Sequence, residues 1–113
     1  MKTVHEVCEL TGVTRKRLFY YDKIGLLKPT KREGVQKSKM YNARAVEQLR
    51  AIMQYQDAGL RLSEIRKIIE ADIAVQEEIM VDVLERLQKE YERKEKEIRT
   101  AREILQNIRL ERK

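Results

Sequence analysis
The sequence predicts a mainly α protein: a winged helix-turn-helix followed by a long helix that forms a coiled coil. Three observations carry that expectation. Two helix-sized segments flank a glycine turn at residues 11–13, and a basic stretch broken by Pro29 and Gly34 follows them. From Gln76 onward no glycine or proline interrupts the chain. With 113 residues and 39% of them charged, the chain suits one modest core plus an extension better than two full domains.

The first helix is expected after Thr3. With Glu6 it forms a capping-box pattern, in which hydroxyl and carboxylate satisfy orphan backbone N–H groups. Val4, Val7 and Cys8 then share one face, and Gly12 supplies the positive φ of a tight turn. Thr14 is the expected N-cap of the second helix and Gly25 its stop. At 100° per residue, Arg15, Lys16, Phe19, Tyr20 and Lys23 fall within about 140° on one side. Leu18, Tyr21 and Ile24 lie on the other, so one face is built for a core and the other gathers cations around two rings. Lys31, Arg32, Lys37 and Lys39 place further positive charge on an irregular hairpin.

Asn42 is the expected cap of a third helix, whose Val46, Leu49, Ile52 and Met53 form an apolar stripe ending near Gly59. A shorter fourth helix carries Leu62, Ile65, Ile68 and Ile69. Stepping alternately by four and three from Met80 then reaches Leu84, Leu87, Tyr91, Lys94, Ile98, Ala101, Leu105 and Ile108. Only Lys94 breaks this heptad seam. Glu85/Lys89, Glu90/Lys94, Glu92/Lys96 and Glu95/Arg99 stand at i,i+4 with the acid first, which supports a helix but cannot hold one alone in water. A helix of some 33 residues runs roughly 50 Å, longer than a core made from the preceding residues can cover. Its seam is therefore expected to face a second copy.

Charge is divided unevenly along the chain. Residues 1–42 hold ten Lys/Arg and four Asp/Glu, whereas residues 43–113 hold fifteen of each. The whole excess of +6 thus falls on the first third, as in a polyanion-binding module joined to a neutral partner segment. The opening residues lack an apolar export-signal core, and no apolar run reaches the roughly 18 residues that span a bilayer. Cys8 has no partner for an internal disulfide, so the expected location is the cytoplasm, with no membrane association. His5 and Cys8 share a helical face but supply only two ligands where zinc takes three or four. No nucleophile, base and orienting group form a catalytic set. Neither a metal, nor a cofactor, nor an enzymatic activity is expected.

The segments GVTRKRLFYYDKIGLLKPTKR and AVEQLRAIMQYQDAGLRLSEIRKII, with Tyr41 between them, resemble the MerR family of bacterial transcription regulators. The resemblance runs from about Val4 to Ile69. It implies a DNA-binding domain over residues 1–70 and a dimerisation helix over 76–110 that pairs antiparallel with its twin. It further implies a homodimer on pseudo-palindromic promoter DNA, which is bent and untwisted so that RNA polymerase engages both promoter elements. By position, Arg15 and Lys16 match residues that approach bases and phosphates, Tyr20 a backbone-contacting tyrosine, and Tyr41 the tyrosine that closes the wing. Lys39 stands where the family commonly has arginine. The expected DNA-binding set is Arg15, Lys16, Phe19, Tyr20, Lys23, Lys37, Lys39 and Tyr41. The expected dimer seam is Met80, Leu84, Leu87, Tyr91, Ile98, Ala101, Leu105 and Ile108.

Several positions depart from the family pattern. Arg17 replaces a usually small residue, Phe19 a frequent arginine, and Arg61 a capping serine. Gly34 precedes Tyr41 by seven residues instead of four, which lengthens the wing. Family members often sense metals or drugs through residues beyond the dimerisation helix, and this chain is expected to be a short member without that effector-binding part. An adaptor that uses the same scaffold to bind a protein, such as a chaperone modulator, is the alternative. The concentration of positive charge on the second helix and hairpin favours DNA.

Overall fold
A computed structural model describes residues 1–112 of the chain. The elements run β1 (Lys2–Thr3), α1 (Val4–Thr11), α2 (Arg15–Lys23), β2 (Lys31–Glu33), β3 (Ser38–Tyr41), α3 (Ala43–Asp57), α4 (Leu62–Glu70) and α5 (Ile73–Glu111). They divide into two compact units, Met1–Ile69 and Glu70–Lys113.

Local chemistry sets the helix boundaries of the first unit. Thr3 Oγ1 accepts from the Glu6 N–H at 3.2 Å while the Glu6 carboxylate accepts from the Thr3 N–H at 3.0 Å, completing the expected capping box. Thr14 Oγ1 accepts from the Arg17 N–H at 3.1 Å, and Asn42 Oδ1 from the Ala45 N–H at 2.9 Å, so both expected caps are present. At the start of α4, Arg61 offers no capping oxygen. The Glu64 carboxylate compensates by accepting the Arg61 backbone N–H at 2.7 Å, the acidic half of a capping box.

Helices α2 and α3 end in the same motif. Leu26 N–H donates to the Tyr21 carbonyl at 2.9 Å and Gly25 N–H to that of Asp22 at 3.1 Å. Leu60 and Gly59 repeat the pattern onto Tyr55 and Gln56 at 3.1 and 3.0 Å. These are Schellman caps, which need a left-handed residue after the helix. Gly25 and Gly59 supply it with φ of 75° and 86°. The leucine after each glycine turns back into the core, where both are buried.

The sheet is small and antiparallel, in the order β1-β3-β2. Lys2 opposes Tyr41, and Arg32 opposes Lys39. The hairpin was expected; strand β1 was not, because two residues leave no periodic signal. Val7, Leu18, Tyr21, Leu49, Ile52 and Ile65 are fully buried and make the core of this unit. At about 1.5–3 kcal/mol for each large apolar side chain removed from water, they dominate its stability.

In the second unit, α5 starts three residues earlier than the sequence suggested, because Asp72 caps it through the Val75 N–H at 3.0 Å. Its 39 residues span about 58 Å. Leu84, Tyr91, Ile98, Leu105 and Ile108 are exposed along it, Ala101 likewise, while Met80 and Leu87 are half-buried. The surface ion pairs differ in detail from the expected ones: Arg86 meets Glu90 at 3.4 Å and Lys94 meets Glu97 at 2.9 Å.

Candidate nucleic-acid interface
Helix α2 carries the cationic face. Its first turn contains no acid, so the positive end of the helix dipole and the Arg15 and Lys16 charges act in the same direction. Arg15, Lys16, Tyr20 and Lys23 are exposed. The core face of the same helix buries Leu18 and Tyr21, which fixes its rotation about its axis. Arg17, at the edge between the two faces, turns inward. Its Nε donates to Gln56 Oε1 at 3.0 Å and to the Tyr21 hydroxyl, and its guanidinium lies 5.6 Å from the Tyr21 ring centroid. The Tyr21 hydroxyl in turn donates to Gln56, so this unusual arginine fastens α2 to α3.

The wing stands beside this face. A groove lined by Thr3, His5, Arg15, Phe19, Lys37 and Lys39 separates it from the starts of α1 and α2. Phe19 was expected to be exposed but is half-buried, because two cations close over it. The Lys39 ammonium lies 3.9 Å and the Arg15 guanidinium 5.2 Å from its ring centroid.

Beneath the wing, Asp22 is the one buried charged residue among those described, at 6% exposure. Its carboxylate accepts from Arg32 at 3.0 and 3.1 Å and pairs with Lys39 at 2.9 Å, while Lys28 stands 3.7 Å away. Burial pushes the Asp22 carboxyl up, but the hydrogen bonds and charges of Arg32 and Lys39 outweigh it and bring it to about 2. The two wing cations thus face inward. On the outer wing, Lys31 pairs with Glu33, and Val35 at the tip is fully exposed. Among the described residues no acidic side chain pairs with Lys16, Lys23 or Lys37. Lys37 also holds a positive φ of 53° in the turn that closes on the Gly34 carbonyl.

Two residues of the expected DNA-binding set, Tyr41 and Lys39, are turned toward the interior. Tyr41 is 1% exposed and packs in the core. It stands two residues after Lys39 in β3, so both side chains leave the face of the strand that is turned toward the core and Asp22. Its hydroxyl has no hydrogen-bond partner among the described residues, and burial together with the Asp22 charge pushes it up to about 12. Lys39 reaches the groove but gives its charge to Asp22. Sequence reasoning missed Asp22 altogether, although a signal existed: it is the only acid between Glu9 and Glu33, amid a dense run of cations.

Comparison with known proteins places this arrangement. Residues 2–72 match the family described as "MerR HTH family regulatory protein". The N-terminal part of MtaN, the Bacillus subtilis multidrug transporter activator, superposes with a TM-score of 0.81 at 27% identity, over 93% of this chain and 98% of that one. A MerR-family transcriptional regulator from Bacillus cereus superposes with a TM-score of 0.71 at 30% identity, over 81% and 70% of the two chains. HiNmlR, a MerR family regulator lacking the sensor domain and bound to promoter DNA, shares the fold with a TM-score of 0.62 at 19% identity, over 80% and 72%. A sequence search of curated proteins finds no match.

Proposed function
This chain belongs to the MerR family of helix-turn-helix regulatory proteins, and from that premise we propose that it is a dimeric, sequence-specific DNA-binding transcription regulator. The reading assigns residues 1–70 to DNA and residues 76–110 to dimerisation. The observation that carries it is the set of exposed cations on α2 and the wing, Arg15, Lys16, Lys23 and Lys37, with Tyr20 exposed on the same helix. Arginine donors match the guanine O6/N7 edge, and lysines and a tyrosine hydroxyl suit phosphate oxygens. The exposed apolar residues of α5 supply the second half of the reading. A seam through Met80, Leu84, Leu87, Tyr91, Ile98, Ala101, Leu105 and Ile108 removes them from water when a second copy packs antiparallel against it.

A two-fold dimer presents two basic faces and therefore reads a pseudo-palindromic site. Bending and untwisting of a promoter, with RNA polymerase as the further partner, complete the proposed mechanism in keeping with the resemblance. The test is binding of the purified protein to a duplex that it has itself selected from a random-sequence pool, with a shuffled duplex for comparison, across a salt series. The regulator gives log K falling against log salt at about −0.9 for each phosphate neutralised, and a clear preference for the selected duplex. Circular-permutation electrophoresis of the same duplex then reads the bend. Absence of duplex binding at low salt sinks the proposal and favours a protein-binding adaptor.

A further inference from the structure
The position of Lys39 sets it apart from the other wing cations. Its ammonium lies between a buried carboxylate and an aromatic ring, 2.9 Å from Asp22 Oδ2 and 3.9 Å from the Phe19 centroid, with its side chain 21% exposed. Arg32 is its cross-strand partner, so both side chains leave the same face of the hairpin. Two like charges directly opposed in this way repel. Asp22 between them, at 3.0 and 2.9 Å, turns that repulsion into a clamp that ties wing to helix.

On α2, Arg15, Phe19 and Asp22 stand at i, i+4 and i+7 and so share one stripe. Arg15 is the first residue of the helix and has a long side chain with several rotatable bonds. Its one ring contact, 5.2 Å to Phe19, narrows the directions it adopts. A bidentate contact to a base edge demands such a fixed direction, whereas a phosphate contact tolerates a swinging charge.

We infer that Lys39 is a positioning residue: anchored on Asp22, it holds the Phe19 ring, and through that ring it aims Arg15 at a base edge instead of neutralising a phosphate itself. The inference rests on the DNA-binding reading and deepens it. It assigns sequence discrimination to a relay that crosses from wing to helix, and it makes the phenylalanine at position 19 part of the reading device.

The test compares wild type, Lys39→Met, Lys39→Arg and Phe19→Leu on the selected duplex and its shuffled counterpart, each over a salt series. A positioning role predicts that Lys39→Met weakens binding to the selected duplex about tenfold, a loss of one positioned contact, while the shuffled duplex and the salt slope stay unchanged. Lys39→Arg, which keeps the charge for Asp22 and a flat group for the ring, restores discrimination. Phe19→Leu reproduces the Lys39→Met defect. A slope shallower by about 0.9, with equal loss on both duplexes, makes Lys39 a phosphate contact and overturns the inference. Unchanged discrimination in Phe19→Leu overturns it equally, whether or not Lys39→Met folds.

Side-chain NMR of the DNA-free protein separates this inference from the reading on which it rests. Ring-current shifts on Arg15 protons report its seat over Phe19. They are expected to collapse in Lys39→Met, and their persistence overturns the relay. A wild-type protein that binds no duplex instead sinks the DNA-binding reading, whatever the NMR shows.

Discussion
Asp22 and Lys39 meet at 2.9 Å beneath the wing, joining the last turn of α2 to strand β3. A lone carboxylate at 6% exposure is unfavourable, since burial removes its hydration. Arg32 and Lys39 replace that hydration with charge-assisted hydrogen bonds. Two consequences follow: the wing is held against α2, and the cations left to face outward are those of α2 and the wing tip.

The Asp22 clamp gives stability a defined pH dependence. Its carboxyl is lowered from an ordinary 3.8 to about 2 in the folded protein. A depressed carboxyl stabilises the fold above its unfolded value and loses that contribution as pH falls through the folded value. The difference corresponds to about 2 kcal/mol. In urea unfolding, Asp22→Asn is expected to lie below wild type by a constant margin from pH 7 to 5. That margin shrinks between pH 4 and 2, because protonated Asp22 and asparagine become electrostatically alike. A margin that ignores pH would show that Asp22 is not ionised against its partners.

Tyr41 provides a test of burial against surface contact. Its hydroxyl lies inside the core without a hydrogen-bond partner among the described residues. Leaving a buried donor unsatisfied costs about 1–3 kcal/mol. Tyr41→Phe is therefore expected to raise unfolding stability by about 1 kcal/mol and to leave duplex affinity unchanged. A loss of stability would reveal a bound water or other partner for the hydroxyl. A loss of affinity without unfolding would return Tyr41 to the interface.

Elements with local signals were legible in the sequence. Thr3, Thr14 and Asn42 announced their helices because capping chemistry is written within four residues. Leu18 and Tyr21 announced the core face of α2 by spacing alone. What stayed hidden depends on contacts distant in sequence: β1 exists only because β3 pairs with it, and the Asp22 clamp spans residues 22 to 39. The same reason explains Lys39 and Tyr41. A sequence pattern reports which residues are cationic or aromatic, but not whether a buried carboxylate or a core claims them. Arg17 was legible halfway: its departure from the small residue usual in the family pattern was evident, whereas its partner Gln56 lies 39 residues on.

Among the outward cations, contacts that position and contacts that read should separate by salt dependence. Lys16→Ala, Lys23→Ala and Lys37→Ala are each expected to make the slope of log K against log salt shallower by about 0.9, with little change in sequence preference. Arg15→Ala is expected to act differently. It should cost about 1–3 kcal/mol of discrimination between selected and shuffled duplexes. Equal losses on both duplexes in all four variants would reduce α2 to a nonspecific polyanion surface.

The last expectation concerns assembly. Leu84 is exposed on α5, and Leu87 stands three residues on along the same stripe. Burying each such side chain in a dimer gains about 1.5–3 kcal/mol, so the seam's apolar residues together outweigh any surface ion pair along the helix. Leu84→Glu combined with Leu87→Glu places two like charges opposite the partner helix and removes that gain. Analytical ultracentrifugation at micromolar concentration is expected to show a monomer for the double variant and a dimer for wild type. Circular dichroism near the unfolding transition should show α5 losing cooperativity, since an isolated helix lacks the tertiary packing that supplies most helical stability. The monomer should keep its weak binding to shuffled duplex and lose its preference for the selected one, because half-site pairing requires two copies held together. A double variant that still sediments as a dimer would place the seam on another face of α5, and the two-site reading of DNA would then need a different geometry.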